Sequence, residues 1–164
     1  MKVNAVGKMN VEAKRAYLAG LVDGDGCIMA TIERHGEKKF GFRVRVEFKI
    51  TQKESKLLKD LNREFKIGRV SSNNKNNLEH TTHDWIVRTK ADVEFILEYI
   101  KPYTQTKNKQ IDIALRILRR PVIKHHDLII NARLADTLSK YNVRSKNRKK
   151  NFSTMIKTLI SPND

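Results

Sequence analysis

Two carboxylates, Asp23 and Asp25, alternate with Gly24 and Gly26 at the end of an apolar, small-residue stretch, Leu18-Ala19-Gly20-Leu21-Val22. Ala13, Ala16, Tyr17, Gly20 and Leu21 recur at three- and four-residue spacing, which predicts a helix from about Asn10 to Asp23 with Asn10 as its cap. A helix carries partial negative charge at its C-terminal end, where Lys or Arg is favoured, so both acids sit against the field. The glycines let the chain leave the helix through backbone conformations closed to other residues, and they expose carbonyl oxygens beside the carboxylates. Carboxylate, carbonyl and water are the ligands of a hard cation such as Mg²⁺, which takes one or two carboxylates from protein and the rest from phosphate and water. On these residues alone, a helix stop followed by an Asp-Gly turn is an equally complete account.

The elements around this turn are legible from their periodicity. Residues Met1 to Met9 have none and read as a loose arm. After the acidic turn, Ile28, Ala30 and Ile32 alternate with Cys27, Met29, Thr31 and Glu33, a first strand. Arg34 to Lys39 is a polar turn, and Phe40, Phe42, Val44, Val46, Phe48 and Ile50 then alternate with Gly41, Arg43, Arg45, Glu47, Lys49 and Thr51. That strict period of two predicts a second strand with one buried face. Its other face puts Arg43, Arg45 and Lys49 beside Met29, Thr31 and Glu33, either a plain solvated face or a ribbon suited to the major groove. Thr51-Gln52-Lys53-Glu54 has capping-box spacing, and Leu57, Leu58, Leu61 and Phe65 predict a helix ending near Gly68. Arg69 to Ser72 is a short strand and Asn73 to Glu79 a loop. Thr82 to Arg88 is a strand with Trp85 and Val87 inward and Asp84, Ile86 and Arg88 outward. Thr89 caps a helix carrying Val93, Ile96, Leu97 and Ile100. Lys107 and Lys109 open another through Ile111, Leu115 and Leu118, against the helix dipole. A helix from about Asp127 to Lys140, the basic run Arg144 to Lys150, and a short helix with Met155, Ile156 and Leu159 complete the chain.

With 164 residues the chain fits a single domain, and its 34 Lys and Arg against 18 Asp and Glu give a net charge of +16 and a pI near 10.1. Such an excess favours a polyanion, nucleic acid first. No apolar run approaches the roughly 20 residues of a membrane span and the N-terminus lacks a signal-peptide core, so the expected setting is intracellular: a prokaryotic cytoplasm or an organelle. A single cysteine, Cys27, excludes an internal disulfide and a Cys-cluster zinc site. His80, His83, His125 and His126 lack the Cys or acidic company of a zinc site.

The string Leu18 to Gly26, LAGLVDGDG, resembles the signature of the LAGLIDADG homing endonucleases almost letter for letter, with Val22 and Gly24 as mild departures. The resemblance implies an α+β, αββαββα fold with a saddle-shaped antiparallel sheet, a core over about 10–121 and a C-terminal helical and basic segment over 122–164. It further implies a homodimer, since one motif is present, joined through Tyr17, Ala19, Gly20, Leu21 and Asp23. Asp25, aided by the Gly24 carbonyl, would bind Mg²⁺, with Mn²⁺ as a substitute. Gln52 would order water beside the site, Lys56 would support the water network, and Lys107 would stand near the scissile phosphate. Candidate DNA contacts are Met29, Thr31, Glu33, Arg34, Arg43, Arg45, Glu47, Lys49, Thr51, Ser71, Asn73, Asp84, Ile86, Arg88 and Lys109. The implied activity is that of a free-standing, intron-encoded enzyme making a double-strand break with 3′ overhangs in a pseudo-palindromic site. Two rivals share the basic surface: an RNA maturase that assists splicing of its intron, and a non-catalytic DNA-binding protein.

Overall fold

The computed structural model describes residues 6–74, 76–77, 79–142 and 152–160. In chain order these form α1 (Val11–Asp25), β1 (Gly26–Arg34), β2 (Phe42–Gln52), α2 (Ser55–Phe65), β3 (Arg69–Ser72), β4 (His83–Val87), α3 (Lys90–Ile100), α4 (Asn108–Arg119), α5 (His125–Lys140) and α6 (Phe152–Ile160). The expected αββαββα order with further helices is present. The four strands make one sheet in the order β1-β2-β4-β3, with β4 antiparallel to both β2 and β3.

The chain divides into two compact units that interleave along the sequence: Met1–Cys27 with Glu47–Asn108, and Ile28–Val46 with Lys109–Asp164. In the first, Leu18, Val22, Phe48, Ile50, Leu58, Leu61, Trp85 and Ile96 are fully buried. Trp85 meets Phe48 edge-on and stacks on Phe65, and its indole Nε1 donates to the Ile67 carbonyl at 2.9 Å. A buried indole thereby keeps its one donor satisfied. In the second, Leu128, Ala132 and Ile156 form a core packed by Ile32, Phe40, Phe42, Val44 and Phe152.

Several local expectations are corrected. The stretch before α1 is not wholly loose: Val6–Lys8 form a 3-10 turn with Val6 buried. Asn10 does cap α1, its Oδ1 accepting from Ala13 N at 2.8 Å. The helix runs two residues past Asp23, so Gly24 and Asp25 belong to its last turn, and Gly26 caps it with φ −82°. Gly26 is therefore not needed for a left-handed conformation. A Cβ there would lie 2.6 Å from the Val22 carbonyl oxygen, so close approach is the constraint.

Phe40 and Gly41 fall in the turn, closed by His35 N donating to Gly41 O at 2.8 Å, and β2 starts at Phe42. The capping box at Thr51 does not form: Thr51 and Gln52 finish β2, and Glu54 precedes α2 without a side-chain bond. That helix stops at Phe65, where Lys66 turns left-handed at φ 55°, before Gly68. At Gly68, φ +71° and an Ile86 carbonyl 2.4 Å from any added Cβ both demand glycine. Thr89 occupies the cap of α3 but makes no side-chain cap bond, and α5 begins two residues early, at His125. Trp85 and Val87 point inward as expected, but Asp84 and Ile86 are buried as well.

Candidate functional site

The last turn of α1 ends in an exposed carboxylate, Asp25, whose Oδ2 accepts from Gln52 Nε2 at 2.6 Å. Alternation explains the contact. Phe48 and Ile50 fill the core from one face of β2, and Gln52 continues that face past the core's edge. The amide orients the carboxylate without neutralising it.

Asp23 serves a different partner. Its Oδ2 accepts from Gln105 N at 2.8 Å, and its Oδ1 from Thr106 N at 3.2 Å and Thr106 Oγ1 at 3.0 Å. Lys107 follows directly, half-buried, and next to it Asn108 Nδ2 donates to the Thr104 carbonyl at 2.8 Å. Sequence reasoning did not foresee Gln105 and Thr106, because backbone donors leave no mark in residue type.

Lys56 is not drawn toward Asp25. Its Nζ pairs with Asp60 Oδ2 at 2.9 Å one turn along α2, and Arg63 holds the other oxygen at 2.9 Å. Bonds first from Lys56 and then from Arg63 keep the Asp60 carboxyl below the usual carboxylate range.

On the helix stripe expected to join two copies, Tyr17 and Gly20 are exposed and Leu21 half-buried, whereas Ala19 is fully buried and belongs to the chain's own core. A Cβ on Gly20 would touch nothing within 4 Å. A helix-interior glycine costs about 1 kcal/mol relative to Ala, yet the described residues of this chain give no steric need for it.

The sheet face opposite the core carries acids and bases together. Thr51 is in register with Asp84, Lys49 with Ile86, and Ser71 with Asp84. Asp84, only 4% exposed, accepts from Thr51 Oγ1 at 2.7 Å and Asn73 Nδ2 at 3.1 Å, and pairs with Lys49 Nζ at 3.3 Å. Burial pushes its carboxyl up, but these hydrogen bonds and the Lys49 charge outweigh that and hold it below the ordinary value. Arg88 pairs with Glu47, and Arg43 and Arg45 both pair with Glu33, the latter at 3.0 Å. The cations expected on this face, Arg43, Arg45 and Lys49, are thus each engaged in an ion pair. Met29 is half-buried on β1, Thr31 and Arg34 are exposed there, and Lys109 is exposed on α4. Arg69, in register with Ile86 and exposed, shares the face of Ser71 and was missed although alternation from Ser71 points to it.

His83 Nδ1 lies 2.9 Å from the Lys53 carbonyl and the His125 ring rests on Phe40. Among the described residues no group of three or more His, Cys, Asp or Glu could hold a metal ion. No described helix is long and apolar enough to cross a membrane. The run Arg144 to Lys150 lies outside the described residues.

Comparison with known proteins matches this arrangement to one lineage. The family model for LAGLIDADG endonucleases covers residues 18–118. The chain is 30% identical over 106 residues to DNA endonuclease I-CreI of Chlamydomonas reinhardtii, spanning 63% of this chain and 61% of that relative, less than two thirds of its length. It is 29% identical over 126 residues to DNA endonuclease I-CvuI of Chlorella vulgaris, 75% of each chain. The structure of I-CvuI in complex with the I-CreI target is similar with a TM-score of 0.76 at 25% identity, covering 89% of this chain and 91% of that one. An archaeal intron-encoded homing endonuclease, I-Vdi141I, complexed with DNA, shares the fold with a TM-score of 0.75 at 20% identity, covering 92% and 96%. With the motif on α1, the strand order and a matched span of more than half its length, the chain belongs to the LAGLIDADG endonuclease family.

Proposed function

We propose that this protein is an intron-encoded, site-specific DNA endonuclease that acts as a homodimer on a pseudo-palindromic site and hydrolyses one phosphodiester in each strand, leaving 3′ overhangs. The observation that carries the reading is Asp25: an exposed carboxylate at a helix C-terminus, oriented by Gln52 at 2.6 Å and without a cationic partner among the described residues.

The donor set suits a hard cation. One carboxylate per protomer, with the Gly24 carbonyl beside it, is the sparse protein contribution Mg²⁺ accepts when phosphate oxygens and water complete its shell. Two copies meeting along the Tyr17 and Gly20 stripe would bring two Asp25 residues to one centre, and twofold symmetry would then dictate the symmetry of the site. Asp25 and the Gly24 carbonyl would hold Mg²⁺, or Mn²⁺ in its place, which would supply Lewis acidity for activating water and offsetting charge on the leaving oxygen. Gln52 holds Asp25 in orientation and has its amide oxygen free to order water. Lys107 supplies positive charge to the phosphate. The sheet residues Arg43, Arg45, Lys49, Thr51 and Asn73 read or position the duplex, held in place by Glu33 and Asp84. The DNA complexes of I-CvuI and I-Vdi141I supply the analogy for that surface.

A cleavage selection tests the reading: purified protein on a randomised duplex library with Mg²⁺, sequencing the cut ends, beside the same library with Ca²⁺ to recover bound sequences. A long pseudo-palindromic site cut with 3′ overhangs is expected. Binding without cutting in Mg²⁺ would overturn the endonuclease and turn attention to intron RNA.

A further inference from the structure

Asp23 and Asp25 are two residues apart on one helix, so their side chains leave α1 about 200° apart with only about 3 Å of rise between them. They are therefore committed to different tasks. Asp25 meets Gln52, while both oxygens of Asp23 are occupied by the 105–106 segment through three hydrogen bonds. An ionised acceptor receiving backbone N–H donors makes strong, short-range restraints.

We propose that Asp23 is a positioning residue: it clamps the Gln105–Thr106 backbone to the last turn of α1 and so fixes Lys107 relative to Asp25. The proposal rests on the endonuclease reading for what Lys107 does, but not for the clamp itself. The segment is held from its other flank too. Thr104 is buried with Oγ1 donating to the Ile100 carbonyl at 3.1 Å, and Asn108 Nδ2 returns to the Thr104 carbonyl. Lys107 thus sits between two tied points, and of the two only the Asp23 bonds connect it to the helix that carries Asp25. Three of the roughly four lone-pair sites of the Asp23 carboxylate are taken by these bonds, whereas Asp25 gives up one, so Asp25 is the more open of the two acids to a cation.

The test has two arms. Amide exchange by NMR on the free full-length protein reads the clamp directly: Asp23→Ala is expected to speed exchange at Gln105 and Thr106 by roughly tenfold or more, with α1 core amides such as Leu18 unchanged. Unchanged exchange at those two amides overturns the clamp. Single-turnover cleavage of the duplex recovered by the selection above reads its consequence. Asp23→Ala should slow the cutting step by about 10- to 100-fold, the cost of about 1 Å of misplacement, while duplex affinity in Ca²⁺ stays within about threefold. Combined with Lys107→Ala, it should add nothing to the loss from Lys107→Ala alone. Additive losses, or an affinity loss that matches the rate loss, overturn the positioning role. Thr106→Ala, which removes only the hydroxyl bond, provides a milder variant in case Asp23→Ala fails to fold, and it should show a smaller loss that also vanishes in the Lys107→Ala background. A wild-type protein that cuts no duplex would sink the endonuclease reading while the exchange arm still decides the clamp.

Discussion

On the sheet, Arg43 and Arg45 share Glu33, Lys49 pairs with the buried Asp84 and Arg88 pairs with Glu47, whereas at the end of α1 Asp23 and Asp25 accept only from amides and a hydroxyl. The two regions handle charge in opposite ways. On the sheet each named cation is paired with a carboxylate, Arg43 and Arg45 with the same one, which fixes side-chain geometry before any partner arrives. Such ion pairs contribute little stability where they are exposed, so their value lies in orientation. At α1 the negative charge of the acids adds to that of the helix end and has no cationic partner among the described residues. On the sheet the carboxylates offset the cations beside them, and the helix end leaves its negative charge open to a cation from outside.

The contrast breaks most visibly at Asp25. Asp25→Asn removes the uncompensated charge but keeps an acceptor for Gln52, and cleavage should fall by about 10³-fold or more, a loss of several kcal/mol of transition-state stabilisation. Duplex binding in Ca²⁺ should largely persist. Cutting at near wild-type rate would mean that the negative end of α1 is not where the cation acts.

The sheet side is probed by salt. If its cations engage six or more phosphates, affinity should drop by roughly 10³-fold between about 50 and 200 mM salt in a titration followed by fluorescence anisotropy. A shallow slope would show that Glu33, Glu47 and Asp84 retain their cations when DNA binds, making the row a structural lattice.

Gln52 sharpens the comparison at an intermediate scale. Gln52→Ala frees Asp25 to rotate without changing its charge, so activity or metal affinity should fall by roughly 10- to 100-fold. Titrating Mg²⁺ in the cleavage assay separates the two, and an unchanged enzyme would mean Asp25 needs no orientation.

The smallest effect is expected on the sheet at Asp84, as stability. Asp84→Asn keeps the Thr51 bond but loses the charge facing Lys49, and should cost about 1–3 kcal/mol in urea unfolding at neutral pH. The carboxyl is depressed in the folded state, so its stabilisation is complete above the ordinary value of 3.8 and is lost as pH falls from there through the depressed value. The stability gap between wild type and variant should therefore close in acid. A gap that persists at low pH would place the cost in packing and not in charge.

Much of this was legible in the sequence because it is periodic or local. The string Leu18 to Gly26 carried the family, and alternation along Phe42 to Ile50 carried β2 and its buried face. The apolar stripe of Leu58 and Leu61 carried α2. Boundaries were less legible. Thr51 and Gln52 have capping-box chemistry but extend β2, since pairing with Asp84 and His83 satisfies their backbone across the sheet. Ala19 reads as one more small residue on an outer stripe, yet it is fully buried, because which side of α1 faces the core depends on elements far along the chain.

What the sequence determined by itself is the chemistry on offer: an acidic helix end, a strongly basic chain and an amphipathic ribbon, all properties of residue type at short spacing. Only the tertiary structure decided who partners whom. That Gln52 meets Asp25, that Asp23 takes the Gln105 and Thr106 amides, and that Glu33 and Asp84 occupy the sheet's cations are contacts between positions from 10 to 83 residues apart. Hydrogen bonds and ion pairs act over a few ångströms and depend on geometry. Until packing of α1, β2 and the 105–107 segment brings those atoms within reach, residue identity alone cannot assign them.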